Sequence, residues 1–273
     1  MSALASHVRP STGVFPRAIE DIREGLARWR LWGLMGWNDI LLRYRRSMLG
    51  PFWLTISMGI MVGALGFLYG GLFKIPLETY LPFLTLGFLV WTLIAGLITD
   101  GCTALSGSEG LIKEVRLPYS LYVFRTVWRN AIIFGHNIVV YLIVAAIFGI
   151  KPSLATLLVV PGLALVMLNA VSIGLLASIL CARFRDIPQI VSSLLQITFF
   201  LTPIIWQPEL LKDRHFLVGS NPFYHFVEII RAPLLGHSVQ LESWLYVGAV
   251  SLVGWLLALV FLGRYRQFIP YWV

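Results

Sequence analysis

Few residues in this chain could do covalent chemistry, and most of the polar ones gather in two places. One is the stretch Cys181–Gly236. It opens with Arg183, Arg185 and Asp186, then runs uncharged for 20 residues from Ile187 to Trp206, and later carries Glu228 and Arg231 in an otherwise apolar segment, Phe223–Leu235. Within the uncharged run Gln189, Ser192 and Gln196 are spaced i, i+3, i+7 and share one helical face. The other place is the arginine group Arg43, Arg45 and Arg46, just ahead of the first long apolar run. His136 beside Asn137 lies inside an apolar run, where an ionisable group is a functional candidate by default. A neutral imidazole next to an amide also hydrogen-bonds neighbouring helices, and that plainer reading is preferred. Asp39, Asp100 and Asp186 make no evident acidic cluster. Cys102 and Cys181 provide neither a disulfide nor a metal framework. There is no GxxxxGK[ST] sequence to cradle ATP phosphates. No catalytic constellation and no metal site emerge, so the polar groups are suited to binding and passage.

The elements that must hold these groups are membrane helices. Of 273 residues 58% are hydrophobic and 12% charged, against about 25% charged in soluble domains. The expected fold is all-α: a polytopic membrane protein with six transmembrane helices and one membrane domain, 51–273. The spans are read as 52–73, 81–99, 131–150, 153–182, 187–206 and 244–263. Pro161 is placed to kink the fourth, a feature tolerated where neighbours satisfy the freed carbonyl. Asp186 and Pro188 suit the start of the fifth, and Asn221 with Pro222 the start of a further helix. That helix, ending at Leu235, is too short to span and reads as re-entrant or interfacial. Gly59, Gly63, Gly66 and Gly70 form a stripe that permits close helix approach, within the chain or between copies.

Ahead of the spans, residues 1–16 read as a disordered N-terminus. Residues 17–50 read as an amphipathic cytoplasmic interface helix, with Ile19, Ile22, Leu26, Trp29, Gly33, Trp37, Ile40 and Tyr44 three or four apart and Gly33 and Gly36 as candidate breaks. No short cleavable leader is visible, so the first span is its own insertion signal. Lysines and arginines divide 16 to 5 between the two sides, which puts both termini in the cytoplasm. The formal charge of +8 thus marks a membrane leaflet, and no nucleic acid is expected as a partner. Between spans two and three, Ser108–Leu117 reads as a short amphipathic helix closed by Pro118.

The motifs RYRRSMLGPFW at Arg43–Trp53, RFRDI at Arg183–Ile187, TPIIW at Thr202–Trp206 and NPFYHFVEIIRAPLLG at Asn221–Gly236 give the chain a resemblance to type-2 ABC exporter permeases, in particular those for O-antigen and other cell-surface polysaccharides. The likeness runs from about Arg23 onward. It implies half of a permease in the bacterial cytoplasmic (inner) membrane, completed by a second copy of itself, a homodimer. Two separate ABC ATPase subunits would bind ATP and Mg, and this chain would carry no cofactor and no enzymatic activity. It implies a coupling helix over Glu109, Leu111, Ile112, Lys113, Glu114, Val115 and Arg116. It also implies a lipid-linked glycan as substrate, whose pyrophosphate suits arginine forks. Arg43, Arg46, Arg183 and Arg185 stand at the right depth, and Arg45 points away from Arg43 and Arg46 on a helix. Gln189, Ser192, Gln196, Phe199 and Trp206, with Phe200, are the candidates for lining the pathway.

Two other readings stand beside this one. The first is a type-2 permease for another lipid or a drug. The second is an integral membrane transferase acting on lipid-linked sugars, which would need an acidic or histidine cluster at the interface. The glycan, which could be O-antigen-like, capsular or teichoic-type, is not named by the residues. Nor are the lipid carrier and any terminal cap.

Overall fold

In a computed structural model the chain folds as helices joined by short turns, described over residues 13–45, 48, 50, 52–210 and 215–273. Twelve α-helices are found among these residues: α1 (Val14–Ala27), α2 (Trp29–Tyr44), α3 (Phe52–Phe73), α4 (Leu77–Thr103), α5 (Glu109–Glu114), α6 (Tyr119–Ile147), α7 (Val159–Arg183), α8 (Ile187–Leu201), α9 (His215–Gly219), α10 (Pro222–Leu234), α11 (Leu241–Tyr265) and α12 (Ile269–Trp272). Among the described residues five stretches are long and apolar enough to cross a membrane: Phe52–Phe73, Leu77–Thr103, Tyr119–Ile147, Leu154–Arg183 and Leu241–Trp272. The fifth expected span, 187–206, is not one of them. Its helix stops at Leu201, about 22 Å long at 1.5 Å per residue. The cause is Pro203, which forces the preceding residue out of helical geometry: Thr202 is extended, at φ −88° and ψ 137°. Residues 202–206 then continue without helix.

Helix α4 is the centre of the bundle. Two-thirds of its most apolar window is buried, against 17% for α3, because α3, α6, α7, α8 and α10 all pack on it. A core of Leu86, Leu89, Val90, Leu93, Tyr141, Val166, Ile229 and Val247 fills the half nearer its start. A second core, with Leu105, Leu121, Val123, Leu175, Ile179 and Leu262, fills the end that also carries α1, α5 and α12. The glycine stripe of α3 splits between the two readings. A Cβ on Gly66 or Gly70 would meet Leu81 or Leu77, whereas Gly59 and Gly63 face open space.

The N-terminal segment departs from the expected single helix. Residues 14–16, expected to be disordered, already belong to α1, and residues 1–12 lie outside those described. The break falls at Arg28 (φ −87°, ψ 34°), not at Gly33 or Gly36, both of which lie inside α2. Gly36 instead allows α2 to lie against α6, since a Cβ there would stand 3.0 Å from the Arg125 carbonyl oxygen. Helix α1 buries Ala18, Asp21 and Gly25 and turns Phe15, Ile19 and Leu26 outward, together with Arg23 and Glu24.

Two prolines act differently from expectation. Pro161 sits in the first turn of α7, after a 3₁₀ lead-in over Leu154–Leu158. Its missing N–H is there one of the helix's four orphan donors, so no interior kink is needed. Pro118 starts α6 twelve residues earlier than the expected span, so the polar stretch to Asn130 is helix rather than loop. Asp186 precedes α8 but makes no side-chain cap bond. Asn221 does cap α10, its Oδ1 accepting from the Phe223 N–H at 2.9 Å. Cys102 of α4 and Cys181 of α7 are both free and buried.

Candidate functional site

The polar residues collect at three levels of the bundle. At the end bearing α1 and α5, the chain leaves α4 through a 3₁₀ turn in which the Ser108 hydroxyl donates to the Ala104 carbonyl at 2.9 Å. Helix α5 follows, one and a half turns long, and Val115 is extended before Pro118. Leu111 and Ile112 are half-buried and pack on the adjoining core, so the apolar pair faces its own chain. Glu109, Lys113, Glu114, Val115 and Arg116 form the exposed face. Lys113 bonds Glu109 at 2.6 Å, one turn apart. This hydrogen bond, with the lysine charge and a smaller effect from Arg185, holds the Glu109 carboxyl below its usual value. A cleft of about 590 Å³ opens beside the exposed face, with Arg17, Lys113, Arg116 and Arg266 among its walls.

The same end is fastened by carboxylates whose partners lie far away in sequence. Asp21 is fully buried. Its two oxygens accept from the backbone N–H groups of Tyr119 (3.1 Å) and Ser120 (2.9 Å), the first turn of α6, so α1 caps another helix from outside. Arg266, following α11, closes on Asp21 at 3.3 Å. One layer further in, Asp39 of α2 takes a two-pronged bond from Arg125 and a contact at 3.2 Å from Arg129. Arg129 also binds Asp100 of α4 at 2.7 Å, and Asn130 donates to Asp100 at 2.6 Å. Asp39 and Asp100 are therefore brought together, but through Arg129 and in ion pairs rather than as an acid–base couple; Asp186 is exposed elsewhere.

The arginines singled out in the sequence are divided. Arg43 is exposed in the last turn of α2, and Arg45 is exposed just beyond; Arg46 lies outside the described residues. Arg183 is exposed but stacks over the Trp272 ring at 5.2 Å and Phe184 at 5.3 Å. Arg185 is exposed between α7 and α8.

The second level is α8. Leu195 alone is buried, while Gln189, Ser192 and Gln196 are exposed along one face, with Ser193 beside them. Elsewhere the outward faces are apolar, as with Leu142, Ile143 and Ile147 of α6 and Leu245, Leu252 and Val253 of α11. Phe199 is not on the polar stripe. It packs against Phe88 (5.4 Å) and Trp91 (5.7 Å) in the core. Phe200 is exposed, and the Trp206 indole N–H folds back to donate to the Phe200 carbonyl at 3.0 Å. His136 bonds the Ile132 carbonyl of its own helix at 2.9 Å, and Asn137 is buried with its Oδ1 unpartnered among the described residues. Among the described residues no side-chain hydrogen bond from this pair to another helix is found.

The third level is the opposite end, where α10 lies under residues 202–206. Arg231 is 2% exposed. It donates to Glu228 at 2.7 Å and to the Pro203 carbonyl at 2.6 Å, and its guanidinium lies 4.1 Å from the centre of the Phe83 ring. The Asn221 amide donates to the Thr202 hydroxyl at 3.0 Å and the Tyr80 hydroxyl to the Ile205 carbonyl at 2.6 Å. The bonds from Arg231 and Tyr80 satisfy the Pro203 and Ile205 carbonyls, which have left the α8 ladder, as a buried backbone requires, while the Asn221 bond pins the Thr202 side chain. Above the Arg231–Glu228 pair is a recess of about 640 Å³. Tyr224 lines it, and burial first, then the Glu228 carboxylate, push its phenol up to about 12 while Arg231 acts the other way.

Comparison with known proteins fits this arrangement. Residues 30–235 match the family model for the ABC-2 type transporter. Two proteins of Klebsiella pneumoniae, each named O-antigen export system permease protein RfbA, are 22% identical over 232 residues, covering 84% of this chain and 88% of theirs. A Myxococcus xanthus protein of the same name is 25% identical over 241 residues, 85% of this chain and 91% of its own. With five helices able to span a bilayer, the chain is an integral membrane protein, and it belongs to the ABC-2 type transporter family.

Proposed function

We propose that this protein is the permease subunit of an ATP-driven exporter that moves a lipid-linked polysaccharide across the bacterial inner membrane. The observation that carries the reading is the α8 stripe. Gln189, Ser192 and Gln196 are exposed at the depth of a membrane-spanning bundle; the Ser192 hydroxyl donates to the Pro188 carbonyl at 3.0 Å, while the two glutamine amides need a partner or water. A second copy of the chain supplies the other wall, and the two stripes together give a pathway that exchanges weak hydrogen bonds with sugar hydroxyls. The names carried by the Klebsiella and Myxococcus relatives support a glycan as the cargo.

The remaining parts follow from charge and geometry. Helix α8 with residues 202–206 serves as the sixth crossing, and the 16-to-5 bias of Lys and Arg puts both termini in the cytoplasm. The α5 end is then cytoplasmic. Its exposed Glu109, Lys113, Glu114, Val115 and Arg116 meet a separate ATPase, which binds ATP and Mg, and Leu111 and Ile112 transmit its movement into the core. Arg43, Arg183 and Arg185 stand on this face for the lipid pyrophosphate, and Arg46, three positions on from Arg43 in the sequence, is assigned the same role. In cells lacking the native permease, Gln189, Ser192 and Gln196 changed together to Leu should abolish surface glycan and accumulate lipid-linked glycan inside, at unchanged membrane abundance. Normal display in that variant would refute the pathway.

A further inference from the structure

The recess at the end opposite α5 is lined by polar groups from four separate parts of the chain. Glu78 and Thr79 come from the start of α4, Gln207 and Glu209 from beyond residues 202–206, Tyr224 and Glu228 from α10, and His237 and Gln240 from the turn before α11. Its volume of about 640 Å³ is within the usual range for small-molecule sites. Arg231 and Glu228 neutralise each other in its floor. Glu78 and Glu209, both exposed, then leave the walls with two carboxylates and no further Lys or Arg among the described lining residues. Among the described residues no three His, Cys, Asp or Glu are grouped to hold a metal ion. Carboxylates accept hydroxyl hydrogens, amides both donate and accept, and the Tyr224 phenol stays a donor. That set matches the hydroxyl-rich edge of a pyranose and opposes a charged acid.

We propose that this recess is a saccharide site on the exit side of the permease, taking one or two residues of a neutral or amine-bearing glycan and rejecting polyanionic polymers. The assignment to the exit side rests on the export reading above; the site itself does not. Glu78 and Glu209 set the charge preference, since among the described lining residues no Lys or Arg other than the Glu228-paired Arg231 stands near them, and Tyr224 and Gln240 supply hydrogen bonds. The inference narrows the cargo: an O-antigen-like neutral glycan fits, and a teichoic-type polyphosphate does not.

The test uses the full chain in lipid nanodiscs and three hexasaccharide probes: a neutral glucan, a glucosamine oligomer and a galacturonate oligomer, followed by saturation-transfer NMR. The neutral and amine-bearing probes should bind and the galacturonate should bind at least about fivefold more weakly, the size of one close unit-charge contact in water. Added salt should shrink that gap. The double variant Glu78→Gln, Glu209→Gln, which leaves the buried floor intact, should bring galacturonate to within about twofold of the neutral probe. Tyr224→Phe should weaken the neutral probe in an otherwise folded protein. Equal binding of neutral and acidic probes, binding of none of them, or no change in the double variant would each overturn the site. Surface glycan in complemented cells tests export separately. A chain that binds these probes but restores no glycan sinks the export reading and leaves the site standing, and the converse result does the reverse.

Discussion

Asp21 is the residue whose removal should do most to separate the N-terminal helices from the bundle. Its carboxylate accepts two backbone N–H bonds from the first turn of α6 and is fully buried. Hydrogen bonds to a charged group are worth about 1.5–3 kcal/mol each, while a cap replaced by Ala costs about 1 kcal/mol in most helices. The two limits bracket the loss for Asp21→Ala at about 3 kcal/mol. The ion pair with Arg266 adds little, because that side chain is 33% exposed and returns to water when its partner is gone, so about 0.5 kcal/mol is reasonable for it. For a chain of this size 1 kcal/mol moves Tm by about 2–4 °C, which gives a drop of about 6–12 °C at a fixed scan rate. Asp21→Asn keeps one acceptor oxygen and should lose about half as much. Arg266→Ala should lose the least. The assay is thermal unfolding of purified protein in nanodiscs, with hydrogen exchange over α1 reporting its release from α6. If Asp21→Ala lies within about 2 °C of wild type, the external cap does not hold α1. If Arg266→Ala reproduces the whole effect, the ion pair holds it and the backbone bonds do not.

Further outcomes are expected at the other levels. Arg231→Met should cost about 3–5 kcal/mol, the usual result of breaking a buried pair, and lower the yield of folded protein, since Glu228 and the Pro203 carbonyl lose their partner together; near-normal thermal stability would show that residues 202–206 are held by other bonds. Cysteines at Lys74 and Lys113 should be labelled by an impermeant maleimide from outside and inside only, respectively, and the reverse pattern would invert the orientation. Lys113→Ala should raise the Glu109 pKa in an NMR titration, because the lysine hydrogen bond is the main cause of its depression. The bond's support of α5, present above the ordinary carboxyl pKa, is lost as pH falls through the depressed value, and an unmoved Glu109 titration would exclude the bond. Arg43 and Arg46 changed together to Lys should reduce glycan export if a planar fork grips pyrophosphate, whereas full export would leave them as topology signals.

The parts of the fold that were legible in the sequence are those dictated by the solvent and by local backbone chemistry. A run of apolar residues long enough to cross a membrane gives Phe52–Phe73 at both its ends, because nothing but length and hydropathy is involved. Asn221 and Pro222 mark the start of α10 for a reason confined to three residues. Pro203 carried an equally local message, and it explains why α8 stops at Leu201 despite 20 uncharged residues; hydropathy counted alone passes over it. What could not be read depends on partners distant in sequence. Arg125 and Arg129 look like loop residues until Asp39, 86 and 90 positions away, and Asp100 neutralise them. Asp21 looks like a solvent-facing acid on an amphipathic helix until Ser120, 99 positions on, is found against it. The coupling segment shows the same limit: Ser108–Leu117 reads as a short amphipathic helix, but nothing local says that Leu111 and Ile112 pack on their own chain's core. Periodicity gives a helix its two faces, and only the tertiary packing decides which of them turns inward.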